Sequence, residues 1–341
     1  MRAHRWSLLL LAIGLSSGAC GRLLMDPDPG VDPVTNFETL WEEFDRYYSF
    51  FGLKGIDWDG LYDEFRPQVT PSVTPNHLFN LMSDMLAHLK DGHVLLRGHE
   101  WTYQYRGWYA DHPENFDFAV IRQNYVLDID YRVGGALAFG RIGRLGYIHL
   151  SDFASEDLVE GFDEVLGVLQ DVEGLIVDLR DNGGGSDSNS EAIAARFADR
   201  TRLYRRFQYR NGPDHDDFTP LVDDFITPRG PFQFSRPVAV LTNRGVFSAA
   251  ESFVLAMRVF PHVTVLGATT GGGSGKPTQR ELPNGWTFQL SRWIEWAPDG
   301  TTYEGVGLEP DIVVDITLID QERGRDTILD WAVGLLLYFP P

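Results

Sequence analysis

Residues 237–257 read PVAVLTNRGVFSAAESFVLAM and hold the first serine whose surroundings suit chemistry. Val238 to Leu241 form an apolar run of the length of a buried strand, Thr242-Asn243-Arg244-Gly245 makes a turn, and Ser248 then opens a helical pattern with Phe253, Val254 and Met257 on one side. A strand, a sharp turn, a serine and a helix present a nucleophile at the carboxyl end of a sheet strand. The unpaired N–H groups at that helix start can hold an oxyanion. Ser248 and Glu251 also have capping-box spacing, and on these residues alone a helix cap is the commoner reading. A second feature is Gly183-Gly184-Gly185, directly after the apolar strand GLIVDL and before a helix. Backbone N–H groups there can turn toward a ligand oxygen. Neither Gly-Lys-Ser/Thr nor G-x-G-x-x-G follows, which sets nucleotide binding aside. The competing use is an oxyanion hole with one donor from this loop and one from the N–H after Ser248.

A serine nucleophile needs a base and a group to orient it. The chain offers nine histidines and Lys276 as bases. His93 stands out, in Lys90-Asp91-Gly92-His93 at a corner between a helix and a strand, whereas His149 lies mid-strand. Asp91, Asp181 and Glu304 are candidates for the orienting acid, and Glu304 begins a glycine-rich turn from which a side chain can enter a cleft. There is no H-E-x-x-H and no Cys/His cluster, so no metal or organic cofactor is expected. Asp187 and the acidic run 214–217 read as solvated surface.

The elements that must position these groups follow from periodicity. Residues 36–51, 58–65 and 76–89 read as amphipathic helices, a small amino-terminal cap whose aromatics belong to a core. Strands are expected at 116–121, 125–131, 135–139, 146–150, 174–179, 204–209, 238–241 and 263–266, with helices at 158–169 and 191–197 and after Ser248. Residues 212–230 read as a long acidic excursion and 271–275 as a flexible glycine loop. Residues 287–290 and 293–296 look like antiparallel strands, and 327–338 like a closing helix. Strands alternating with helices indicate an α/β fold with a mostly parallel sheet.

The chain has 341 residues, 43% hydrophobic and 13% aromatic, enough for a real core. Its formal net charge of -20 argues against nucleic-acid partners and against docking on anionic lipid. The one cysteine, Cys20, excludes a disulfide framework. Arg2 and Arg5, an apolar run over residues 7–15 and the small residues Ser17-Gly18-Ala19 make a signal peptide over 1–20. Cysteine after Gly-Ala resembles the bacterial lipoprotein box, which implies lipidation at Cys20 and a membrane anchor facing the periplasm or exterior; the alternative is a plain signal peptide and a secreted protein. Residues 21–35, with repeated Asp-Pro, read as a tether. The division expected is therefore 1–20 signal, 21–35 tether, 36–98 helical cap and 99–341 core.

DLRDNGGG at 178–185, VAVLTNRGVFSAAE, the glycine run after VLGATT, and EGVGLEPDI at 304–312 occur in one order. Together they resemble the carboxyl-terminal (tail-specific) processing protease family of serine peptidases, which includes the tricorn core proteases and the retinoid-binding-protein modules. The resemblance implies a crotonase-like ββα core with a mostly parallel sheet behind a small helical domain. The processing proteases use a Ser-Lys dyad, but Gly273 stands at their lysine and Lys276 lies three residues on. The pattern is similar to the tricorn-like branch instead. That implies Ser248 as nucleophile, His93 as base, Glu304 as the supporting acid, and Gly184 and Ala249 as oxyanion-hole donors. Lys276 is the alternative base. Gly92 stands where tricorn has serine. The family often carries a PDZ domain, but residues 100–150 are too short for one, and none is expected.

The function expected is hydrolysis of peptide bonds by acyl transfer, on a peptide or protein substrate at the cell envelope. Two other readings use the same residues: a binding module of this fold for an apolar ligand or peptide, and an esterase or amidase on small substrates.

Overall fold

The first helix opens where the chain supplies its own cap. Asp32 accepts the N–H groups of Val34 and Thr35, and Pro33 takes the first position, where a missing N–H costs nothing. This computed structural model describes residues 30, 32–110, 112 and 114–338; the signal segment, Cys20 and residues 21–29 of the tether lie outside the described residues. Helices α1 (Pro33–Tyr47), α2 (Phe51–Lys54), α3 (Trp58–Phe65) and α4 (Pro75–Ala87) come first. Then follow β1 (Leu95–Arg97), β2 (Thr102–Gln104), α5 (Phe118–Asn124), β3 (Asp130–Arg132), β4 (Leu137–Ile142), β5 (Leu145–Leu150), α6 (Leu158–Val168), β6 (Gly174–Asp178), α7 (Asp187–Ala194), β7 (Arg202–Tyr209) and β8 (Val222–Ile226). The rest is β9 (Val238–Thr242), α8 (Ala249–Arg258), β10 (Val263–Gly267), β11 (Pro277–Glu281), β12 (Thr287–Ser291), β13 (Trp293–Trp296), β14 (Ile312–Val313), α9 (Leu318–Glu322) and α10 (Thr327–Tyr338).

The main sheet has the order β14-β10-β9-β6-β5-β4-β3. It is parallel from β14 to β5, and β4 and β3 add an antiparallel end. Strands β6 and β9 are buried along their whole length, which is why they read as unbroken apolar runs. Their residues alternate between two cores. Leu175, Val177, Val238 and Val240 face α6, α7 and α8, while Ile176, Ala239 and Leu241 face α5 and α10. Asp178 pairs with Leu241, so the two strands end together and release the glycine loop and the Ser248 turn side by side.

The helical cap does not close on itself. Phe37, Leu40, Phe44, Trp58, Met82 and Met85 share one core with Trp286, Phe288 and Leu290, far along the chain. Those three lie on or beside β12, in a four-stranded antiparallel sheet of order β11-β12-β1-β2. The expected boundary after residue 98 thus falls between two paired strands. No helix among the described residues is long and apolar enough to cross a membrane.

Several local expectations change. Residues 116–121 do not form a strand, because Asp117 accepts the Ala119 N–H and starts α5. Only β3 remains of the strand expected at 125–131. The acidic excursion contains β8, where Asp224 and Asp223 meet Arg205 and Arg206 of β7. β12 and β13 are not partners, since β13 pairs with β7 in a separate three-stranded sheet.

Phe288, with 0% exposure, packs against Phe44 at 5.7 Å between ring centres. Phe288→Ala should cost about 3–5 kcal/mol, read as a shift in the urea midpoint.

Candidate active site

Ser248 joins β9 to α8 with φ 57° and ψ -126°, a conformation that is strained for any residue with a side chain. The strain has a use, since it lifts the hydroxyl out of the turn. Ser248 Oγ lies 2.9 Å from His93 Nε2. Cross-links between the two loops hold the turn. Asn243 Oδ1 accepts the Asp181 and Gly245 N–H groups, its amide donates to Asp181 and Asn115, and the Phe247 N–H donates to the Asn182 carbonyl.

His93 follows α4 on a short turn in which Lys90 has φ 47°. Asp91 Oδ1 accepts the His93 N–H at 2.8 Å, and Ser291 Oγ donates to Asp91 Oδ2 at 2.7 Å. The imidazole is buried, with its ring 4.8 Å from that of Phe247. Burial holds its pKa below the ordinary histidine value, against the pull of Asp91. A neutral ring that accepts the serine proton at Nε2 carries its own hydrogen on Nδ1. That nitrogen has no hydrogen-bond partner among the described residues, and Asp91 Oδ1 lies 4.0 Å from it.

Two N–H groups beside the serine are free to receive an oxyanion. Among the described residues neither the Ala249 N–H nor the Gly185 N–H has an acceptor. The Gly184 N–H, the donor expected from the sequence, is instead given to Asn182 Oδ1 at 2.9 Å. Gly184 still shapes the site: with φ 98°, a Cβ there would come within 2.7 Å of the Phe247 carbonyl and 2.9 Å of the Ala249 nitrogen. A cavity of about 230 Å³ opens beside Ser248, lined by Gly185, Asp187, Ser252, Lys276, Trp293 and Tyr303 among others.

Glu304 is brought near the site but not to His93. Its Oε1 is 2.8 Å from Lys54 Nζ, and its Oε2 accepts the N–H and hydroxyl of Ser274 at 2.9 and 3.0 Å. Burial and the Asp91 carboxylate push the Glu304 carboxyl up to about 7, against the pull of Lys54. The acid beside His93 Nδ1 is therefore Asp91, and Glu304 is taken up by a lysine from the helical cap. Lys276 shares the cavity, with Nζ 4.6 Å above the Trp293 ring and 3.9 Å from Asp187 Oδ2, and no hydrogen bond joins it to Ser248. Asp187 lines this cavity rather than open surface. Asp214, Asp216 and Asp217 form the one acidic cluster, among the described residues, with the spacing to hold an ion, and two of the three are exposed.

Residues 144–314 match the model of peptidase family S41, and residues 31–87 match the tricorn protease C1 domain. The chain belongs to peptidase family S41. It is 38% identical to a crystal structure from Parabacteroides merdae assigned as a peptidase, covering 90% of this chain and 97% of that one with a TM-score of 0.82. Carboxy-terminal processing protease CtpB of Bacillus subtilis is 29% identical over 172 residues, 50% of this chain and 34% of that protein. This chain thus spans about a third of that relative's length. The tricorn protease structure shares the fold, with a TM-score of 0.57 at 18% identity over 90% of this chain and 36% of that one.

Two features of this S41 site were not legible as such. Gly92 has no room for the tricorn serine, since a Cβ there would lie 2.7 Å from both Phe247 and Trp108, whose rings stack at 4.3 Å. Glu251, read as half a capping box, does accept the Ser248 N–H at 3.1 Å, but it also accepts the Gly272 and Gly273 N–H groups at 2.7 Å each and the Thr270 hydroxyl. Burial raises its pKa to about 7 even though these four contacts lower it. Three of these partners are backbone N–H groups that can only donate, so the contacts favour the carboxylate form. Glu251→Gln would aim an amide N–H at one of these donors. It should lose about 3 kcal/mol in urea unfolding.

Proposed function

We propose that this chain is a serine peptidase that cleaves by acyl transfer on Ser248. The observation that carries the reading is the 2.9 Å contact between Ser248 Oγ and His93 Nε2, in a turn flanked by free N–H groups. Ser248 Oγ attacks the scissile carbonyl carbon, and its proton passes to His93 Nε2 as the new C–O bond forms. The carbonyl oxygen, now negative, is held by the Ala249 and Gly185 N–H groups. Collapse breaks the C–N bond, and the amine leaves with the proton from His93. Water, deprotonated by His93, then attacks the ester carbonyl carbon; the C–Oγ bond breaks, His93 returns the proton to Ser248 Oγ, and the acid leaves. Asp91 Oδ1, across from Nδ1, stabilises the imidazolium. Glu304 acts from further out, through Ser274 and Lys54. The family membership and the named relatives support peptide or protein as the substrate class.

We also propose that the mature protein sits at the cell envelope on a lipid attached to Cys20, supported by the signal pattern of residues 1–20. Cys20→Ser should move the protein from the membrane pellet to the soluble fraction of the producing cells; unchanged pelleting would refute the anchor.

A fluorophosphonate probe, with mass spectrometry of the adduct, tests the mechanism. Wild type should label on Ser248. Ser248→Ala should abolish the adduct without unfolding, and His93→Ala should slow labelling by about 10³-fold or more. Lys276→Ala should keep most of the rate; the opposite ranking of His93 and Lys276 would restore a Ser-Lys dyad. No adduct in folded wild type would favour the ligand-binding reading.

The pH dependence follows from the base. His93 accepts a proton only when neutral, and its pKa is lowered from 6.5, so the acid limb of the labelling rate should have its midpoint below pH 6.5. A midpoint above that value would show that burial does not govern the histidine.

A further inference from the structure

Lys54 ends α2, and Gly55, in the left-handed region with φ 64°, turns the chain away at once. The lysine side chain is left pointing inward, only 14% exposed. Its ammonium meets three oxygens: Glu304 Oε1 at 2.8 Å, the Leu89 carbonyl at 3.3 Å and the Lys90 carbonyl at 3.1 Å. An ammonium has three hydrogens to donate, so this set uses them all. The two carbonyls belong to the turn that carries His93. Glu304 in turn holds the N–H and hydroxyl of Ser274, in the glycine loop that lines the Ser248 cavity. One cation therefore ties the helical cap to both sides of the cleft.

We infer that Lys54 is a positioning residue for acyl transfer: it fixes the turn that aims His93 at Ser248 and supplies the buried counter-charge of Glu304. The inference rests on the Ser248–His93 reading of the site. Lys54 makes no hydrogen bond to Ser248 or His93 and acts through the backbone and through charge. Its ammonium stays protonated: burial opposes the charge, but the Asp91 and Glu304 carboxylates outweigh it. The charges that bear on His93 are Asp91 on its own turn and Asp187 on α7, which favour the protonated ring, and Lys54, which disfavours it. Glu304, Tyr48 and Tyr105 complete the set around Asp91 and Lys54. Without Lys54, Glu304 is a buried carboxylate with no paired cation among the described residues, and the His93 turn loses two backbone anchors. Removing a positive charge also lets His93 hold its proton to higher pH, so the base form is lost sooner as pH falls.

The test is fluorophosphonate labelling of the full chain from pH 5 to 9, for wild type, Lys54→Met, Lys54→Arg and the double variant Lys54→Met/Glu304→Gln, with circular dichroism and thermal melting of each. Lys54→Met should lower the rate at saturating probe by about 10- to 100-fold. The half-saturating concentration should stay within about threefold, since probe binding is not touched. Its acid limb should move to higher pH. Lys54→Arg should return the limb towards wild type because the charge is kept. The double variant should melt higher than Lys54→Met, because the orphaned carboxylate is gone. If Lys54→Met fails to fold, the arginine and double variants carry the test: a double variant with wild-type rate and wild-type acid limb would overturn the inference. So would a Lys54→Met protein with both unchanged. Absence of label on wild-type Ser248 would remove the underlying reading and this inference with it, whereas normal wild-type labelling with an indifferent Lys54 removes the inference alone.

Discussion

Glu251 has 0% exposure, and its two oxygens receive the backbone N–H of Ser248 together with those of Gly272 and Gly273. The serine turn and the glycine loop opposite it are thus held to one anion. A buried charge of this kind is tolerable only when fully hydrogen-bonded, and this one is. The Ser248 conformation is costly by itself and persists because its surroundings leave it no alternative. The Gly271 N–H is given to the Val246 carbonyl and the Gly305 N–H to the Gly272 carbonyl, so the contacts reach Glu304 without a break.

A second buried ionic centre anchors the other loop. Arg180, with 0% exposure, reaches Asp178 Oδ2 at 2.6 Å and Asp326 Oδ2 at 2.7 Å, and lies over the Phe116 ring at 4.6 Å. Asp178 ends β6 and Asp326 precedes α10, so the start of the Gly183–Gly185 loop is fixed to the last helix. The arginine is held strongly protonated: burial opposes its charge, but the two aspartates outweigh it. Replacing Arg180 would leave Asp178 and Asp326 buried without the cation between them, which is worse than having no cluster at all.

The strand–turn–serine–helix unit, the glycine loop and the parallel strands were legible because each is local: a buried strand is an apolar run, and glycine marks the tight turn after it. His93 was legible as a corner residue, and the family pattern selected it. What connects these groups was not legible. Lys54 and Glu304 are far apart in the chain, and nothing in the short segment between the first two expected helices announces that its lysine enters a cleft. Asp91 could be named as a candidate acid, but its place beside Nδ1 depends on Ser291, 200 residues away. Residues 116–121 alternate well enough for a strand, yet a single capping aspartate decided for a helix. Trp108 fills the space beside Gly92, which only the stacking against Phe247 reveals.

The shared core of the helical cap has a consequence for how the protein is made. The cap's apolar face is covered by residues between Leu282 and Ile294, and the Ser49 N–H finds its acceptor only at the Ser291 carbonyl, 242 residues on. A chain emerging from the ribosome therefore carries its first helices with no finished partner surface until β12 has been synthesised. The same strand holds the aspartate of the His93 turn. A product that stops before β12 would contain Ser248 and His93 yet lack the frame that brings them together, so their contact forms only once β12 has been made.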